Sequence, residues 1–120
     1  MPGSNFAGTV QAVGQNCKAK VKLGDKVYGV CHGANNSNAE DGAFAEFVMV
    51  KDGHFAKLTE GKMSFEEAAT LGMGIATAGQ ALYASLNLPS PVRPTSTPFP
   101  ILIHGGSSAT GAIAIQYAKL

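Results

Sequence analysis

The sequence predicts an α/β fold in which short strands come first and helices follow. Three observations support this prediction. The first half of the 120-residue chain consists of β-rich runs separated by glycine and aspartate. Apolar residues then recur at helical spacing, and a final apolar run leads through a glycine-rich turn into another helix. One mixed α+β domain is the alternative that these patterns leave open.

The composition is that of a chain that folds around an apolar core. Apolar residues make up 45% of the sequence and charged residues 14%. The net charge is +1, and the basic residues are scattered, which argues against nucleic acid as a partner. No apolar run reaches the length of a membrane span. Cys17 and Cys31 lack the CxxC spacing, so we expect two reduced thiols and a cytoplasmic location.

Four extended segments are predicted in the first half, at residues 6–13, 27–30, 43–50 and 55–58. Turn-forming residues separate them at 23–26, 32–42 and 51–53. Short strands with this punctuation predict a small barrel or sandwich.

Helices are predicted from Ser64 onward. Glu67 follows Ser64 at the spacing of a capping box, and the first helix is expected to break at Gly72 and Gly74. A second helix carries apolar residues at helical spacing and ends before Pro89. Residues 88–100 contain five prolines and no periodicity, which indicates an extended connector.

The last segment predicts a strand at 101–103 and a helix from about Ala109. The loop between them runs from Gly106 to Gly111 and resembles the G-x-G-x-x-G fingerprint, with Ser108 at the middle glycine. A loop in this position presents the first N–H groups of the helix to a phosphate, so it is a candidate dinucleotide site. The alternative is that Ser107 or Ser108 only caps the helix. The residue that separates NAD from NADP belongs about 20 positions further on.

Five segments together resemble the medium-chain dehydrogenase/reductase superfamily. They are residues 3–10 (GSNFAGTV), 24–29 (GDKVYG), 41–47 (DGAFAEF), 65–72 (FEEAATLG) and 104–111 (HGGSSATG). The proline-rich insert and the loop after it most resemble fungal enoyl reductases, which include trans-acting partners of polyketide synthases. The resemblance implies a partial GroES-like domain at 1–63, connecting helices at 64–88, a proline-rich loop at 89–100 and the start of a Rossmann NAD(P)-binding domain at 101–120.

Zinc is not expected. The zinc-dependent branch of the superfamily has Gly-His-Glu where this chain has Gly3-Ser-Asn5, so the metal-binding side chains are missing. Cys31 and His32 are adjacent, and neighbours on a strand point to opposite faces of the sheet. We therefore expect no metal site.

By resemblance, the chain is expected to belong to a zinc-independent, NADPH-dependent enoyl reductase that acts on a small or carrier-bound enoyl substrate. A quinone oxidoreductase-like enzyme and a truncated, non-catalytic remnant remain alternatives, and we expect the 120-residue chain to be inactive alone. The residues implied for cofactor binding are Thr77, Gly106, Ser107, Ser108, Ala109, Thr110 and Gly111. Those implied for substrate binding are Gly72, Met73, Gly74, Ile75 and Gly79. Thr77 is alternatively an ordinary helix residue, and no proton donor is identified.

Overall fold

Three antiparallel strands form a sheet in the order β1-β2-β3. Strand β1 spans Asn5–Thr9, β2 spans Lys26–Val30 and β3 spans Phe55–Lys57. The computed structural model describes residues 1–38, 40–51 and 53–120, so Ala39 and Asp52, the latter in the predicted turn at 51–53, lie outside the described residues. The chain divides into two units, Met1–Met73 and Gly74–Leu120, and the sheet belongs to the first.

The strand predictions are confirmed at 27–30 and 55–58 and in part at 6–13. Strand β1 ends at Thr9, and the Val10 N–H donates to the Asp25 carbonyl oxygen at 2.9 Å. Val27, in the central strand, is only 7% exposed and forms part of the core. Within the described residues the sheet has three strands, so neither the predicted barrel nor the predicted sandwich is formed there.

The predicted strand at 43–50 is wrong. Residues 43–47 form bends and 48–50 form no regular structure, and the Ala43 and Phe44 N–H groups donate to the Pro2 carbonyl oxygen at 3.0 and 3.1 Å. Phe44 is 77% exposed and Phe47 69% exposed, so the alternating apolar residues bury no common face. Without a buried face or a continuous ladder, the β propensity of the segment does not produce a strand.

Helix α1 spans Phe65–Ala69 and begins as the sequence predicts. The Ser64 N–H donates to the Glu67 carboxylate at 2.8 Å, and the Glu67 N–H donates to Ser64 Oγ at 3.2 Å. This reciprocal pair is the predicted capping box. Ala68 is fully buried, and α1 packs against β1 and β2.

Helix α2 spans Gly72–Gly79 and continues as a π-helix over Gln80–Ser85. The predicted break at Gly72 and Gly74 is therefore wrong, because α1 already ends at its C-cap Thr70 and both glycines lie inside α2. Glycine lowers helix propensity, but close packing at these two positions outweighs that cost. Ala78 and Leu82 are buried apolar residues of the second unit, and the helical segment ends before Pro89 as predicted.

The predicted strand at 101–103 is also wrong, so the strand of a Rossmann βα unit is not observed. A strand needs a neighbouring ladder, and the described residues of the second unit contain no other strand. Leu102 is accordingly 95% exposed. Residues 88–100 form no helix or strand, as predicted, and helix α3 spans Ala109–Tyr117. Strands and helices together agree with the α/β class.

Candidate functional site

The loop before α3 is closed by the side chain and backbone of Ser108. The Ser108 N–H and Oγ both donate to the Gly105 carbonyl oxygen, at 2.9 and 2.8 Å. Ser108 Oγ in turn accepts from the Gly111 N–H at 3.1 Å, which makes Ser108 the N-cap of α3. The capping role that the sequence left open is thus observed, and the hydroxyl of Ser108 is engaged on both sides.

Glycine is required at position 111 by the close approach of two backbone segments, whereas position 106 faces only the end of the Ile115 side chain. A Cβ added at Gly111 would lie 2.1 Å from the Gly105 carbonyl oxygen, and one at Gly106 would lie 2.9 Å from Ile115 Cδ1. Gly105 itself has a φ of +75°, a left-handed conformation that favours glycine. The turn that the fingerprint predicts is therefore present, even though Ser108 replaces the middle glycine.

The start of α3 leaves donors for a ligand. Ala109 and Thr110 are the first two residues of the helix, and the first N–H groups of a helix have no partner within it. The partial positive charge of the helix N-terminus lies at the same place. Within the described residues, the Ser107 and Thr110 hydroxyls make no hydrogen bond, and Ser107 is exposed. A phosphate fits this donor set.

Helix α2 contacts α3 through its glycines. A Cβ added at Gly74 would lie 2.4 Å from Ile113 Cδ1 and 3.9 Å from the Ala109 carbonyl oxygen. Further along, the Tyr83 and Tyr117 rings stack with centroids 6.1 Å apart, and the Tyr83 hydroxyl donates to the Tyr117 carbonyl oxygen at 3.1 Å. The structure therefore brings part of the predicted substrate segment against the helix that carries the predicted cofactor loop.

The other predicted substrate and cofactor residues lie along α2. Gly79 is close to Tyr117, whose Cε2 would be 4.0 Å from an added Cβ. Ile75 is half-buried and Thr77 is exposed. Gly72 and Met73 belong to the first unit, where they contact the sheet. The Thr77 hydroxyl makes no hydrogen bond among the described residues, so its role stays a prediction.

One contact was missed by the sequence analysis. Asn5 Oδ1 accepts a hydrogen bond from the Met73 N–H at 2.7 Å. In the sequence, Asn5 stands out only as part of the segment at 3–10 and as a residue in place of a zinc ligand. No local pattern signals the contact, because the two residues are separated by 68 positions.

The Cys31 thiol has a shifted pKa. Burial of the Cys31 thiol, together with the nearby Asp41 carboxylate, raises the pKa of Cys31. In the ranges that the structure describes, no three His, Cys, Asp or Glu side chains are grouped so that they could hold a metal ion. Nor does any described helix combine the length and the apolar character needed to cross a membrane.

Comparison with known proteins gives a consistent result. Residues 1–60 match the family model described as alcohol dehydrogenase GroES-like domain. The chain is 51% identical to trans-enoyl reductase TOXD of Cochliobolus carbonum, over 98% of this chain and 39% of that protein. It is 44% identical to trans-enoyl reductase ACTTS2 of Alternaria alternata and 42% identical to trans-enoyl reductase resD of Aspergillus sclerotiorum. These alignments cover 98% of this chain and 34% and 36% of the relatives, so the chain spans between a third and two fifths of their length.

Proposed function

The chain belongs to the alcohol dehydrogenase GroES-like family, within the medium-chain dehydrogenase/reductase superfamily. We propose that it is part of an NADPH-dependent enoyl reductase. The observation that carries the proposal is the closed glycine loop at the start of α3, the helix against which Gly74 of α2 packs. The similarity to proteins named trans-enoyl reductases supports the choice of substrate.

The loop is proposed to hold the pyrophosphate of the cofactor. The N–H groups of Ala109 and Thr110 face the phosphate oxygens, and the hydroxyls of Ser107 and Thr110 add further donors. Ser108 holds the loop closed rather than donating its hydroxyl to the phosphate. Gly106 and Gly111 allow the backbone to approach the ligand.

Helix α2 is proposed to line the nicotinamide and substrate side of the site. Thr77 is exposed one turn after Gly74 and is proposed to hydrogen-bond the carboxamide. Gly72 and Gly74 are packed against Gly29 and Ile113, so the acyl chain is proposed to lie against the exposed Met73 and the half-buried Ile75. When bound, NADPH supplies the hydride that reduces the activated carbon–carbon double bond.

The proposed reductase needs no zinc, because Ser4 and Asn5 stand where the zinc-dependent branch has His and Glu. The proposed substrate is a small or carrier-bound enoyl thioester, with a polyketide synthase as the partner that supplies it. Cys17 and Cys31 form no disulfide in the part of the chain that the structure describes, which agrees with the proposed cytoplasmic location.

A quinone oxidoreductase-like activity is the second candidate. It is favoured by residues 104–111, which resemble the cofactor loop of the quinone-reductase branch. The two candidates share the cofactor and differ in the acceptor.

The proposal is tested by titrating NADPH into the purified chain and following the fluorescence of the nicotinamide. Saturable binding supports the role of the loop, and its absence contradicts the proposal. An enoyl thioester or a quinone is then added and NADPH oxidation is measured. Faster oxidation with the thioester supports an enoyl reductase, and faster oxidation with the quinone supports the second candidate. Binding without oxidation by either acceptor identifies the non-catalytic alternative.

A further inference from the structure

Helix α2 has no capping side chain next to its start. The residue before the helix is Leu71, which carries no hydrogen-bond acceptor in its side chain. The hydroxyl of the next residue back, Thr70, donates to the Glu67 carbonyl oxygen at 2.7 Å. The first N–H groups of the helix therefore need an acceptor from elsewhere.

That acceptor comes from strand β1. Asn5 Oδ1 accepts from the N–H of Met73, the second residue of α2, at 2.7 Å. A side-chain oxygen that accepts from the second or third N–H of a helix is what a local N-cap residue provides. Asn5 supplies the same interaction from the sheet.

The backbone at Gly72, the first residue of α2, also packs closely against the sheet. A Cβ added at Gly72 would lie 2.2 Å from the Gly29 carbonyl oxygen and 3.2 Å from Asn5 Oδ1. Gly29 is on β2, where it pairs with Phe6, the neighbour of Asn5. The start of α2 thus contacts both β1 and β2. Gly72 packs so closely against the Gly29 carbonyl oxygen that no side chain fits between them.

We propose that Asn5 is a positioning residue that fixes the start of α2 at Gly72 and Met73, the first two residues of the predicted substrate segment. The proposal rests on the proposed function, because that function gives the segment its role. Asn5 acts on the substrate only through the helix backbone. An amide accepts the N–H equally at every pH, whereas a carboxyl group at this position accepts it more strongly while it is ionised.

The direct test uses the full chain with Asn5→Ala and Asn5→Asp, and Asn36→Ala as an exposed asparagine control. Amide hydrogen exchange and the amide proton shift of Met73 are measured by NMR. We expect Asn5→Ala to reduce Met73 protection about fivefold, the loss typical of a removed cap, and Asn36→Ala to leave it unchanged. Unchanged Met73 protection in Asn5→Ala overturns the proposal.

The aspartate variant adds a readout that a purely structural defect does not produce. Asn5→Asp should restore the Met73 bond at neutral pH. On acidification the Met73 proton shift should titrate, because the bond to the introduced carboxyl, whose pKa the bond lowers, weakens when the carboxyl is protonated. The parent chain should show no such titration at Met73. Failure of the aspartate to restore protection counts against the proposal.

Ligand binding separates this inference from the proposed function. We expect Asn5→Ala to bind a short α,β-unsaturated acyl thioester about fivefold more weakly and to bind NADPH as the parent chain does. Equal loss of both ligands contradicts a positional role. If the parent chain binds no enoyl thioester, the proposed function is wrong, while the Met73 measurements still decide whether Asn5 fixes the start of α2.

Discussion

The substitution Gly111→Ala tests the cofactor loop at its tightest contact. The added Cβ would lie 2.1 Å from the Gly105 carbonyl oxygen, 2.8 Å from the Gly105 carbonyl carbon and 3.0 Å from Gly106 Cα. All three neighbours are backbone atoms, so no side chain can turn away to make room. The loop must open, and the hydrogen bond from the Gly111 N–H to Ser108 Oγ must lengthen beyond its 3.1 Å.

Two effects of the alanine oppose each other. Alanine favours a helix over glycine by about 1 kcal/mol, and Gly111 is the third residue of α3. Overpacking against backbone costs about 1–3 kcal/mol or somewhat more. Relief of the contact requires a shift of more than about 1 Å, because non-bonded atoms normally stay about 3.5 Å apart. The clash therefore outweighs the gain, and we expect a net loss of about 2 kcal/mol in the free energy of unfolding.

The effect on ligand binding should be larger than the stability change suggests. A hydrogen bond from an N–H to a phosphate oxygen holds only within about 2.7–3.2 Å, so a shift of roughly 1 Å removes it. We expect NADPH binding, followed by nicotinamide fluorescence, to weaken at least about tenfold. Gly14→Ala is the matched control, because a Cβ at Gly14 meets no atom within 4 Å. NADPH affinity in Gly111→Ala equal to that of the control would refute the reasoning.

Three further predictions concern the first unit and the sheet. Ser64→Ala removes the capping-box bond with Glu67 and should lower the free energy of unfolding, measured by urea denaturation, by about 1 kcal/mol. An unchanged free energy of unfolding would show that the capping box does not stabilise the protein. The hydrogen bond from Lys57 lowers the pKa of Asp25 below its usual 3.8, so the folded state gains stability above the unfolded pKa and loses it as the pH falls through the lowered value. The urea midpoint should accordingly fall less on acidification in Asp25→Asn than in the parent chain, and equal pH profiles would contradict this. Gly72→Ala places a Cβ 2.2 Å from a backbone oxygen and should lower the thermal midpoint by about 5 °C or more, whereas an unchanged midpoint would show that α2 can move away from the sheet.

Features that depend on neighbouring residues could be predicted from the sequence. The capping box at Ser64 and Glu67 needs only three residues of spacing, and both of its hydrogen bonds are present. The start of α3 follows from the serine and glycines before Ala109, and it lies where the sequence places it. Strand β2 pairs with β1 on one edge and with β3 on the other, as its apolar pattern predicts for a strand inside a sheet.

Features that depend on a distant partner could not be predicted. The segments at 43–50 and 101–103 have the composition of strands, but neither finds a ladder among the described residues. Glycine content suggested a break at Gly72, where tertiary packing against Gly29 instead places the first turn of a helix. The Asn5 contact with Met73 joins residues 68 positions apart, and sequence spacing carries no information about such a pair.

The central claim is that the loop at 106–111 binds the pyrophosphate of a nicotinamide cofactor. The most direct measurement is an NMR titration of the isotope-labelled chain with NADPH, which reports on each backbone amide. We predict saturable shifts concentrated at Ala109 and Thr110, whose N–H groups are the first of the helix, and the loss of these shifts in Gly111→Ala. Shifts confined to other segments, or no saturable shift in the parent chain, would contradict the account.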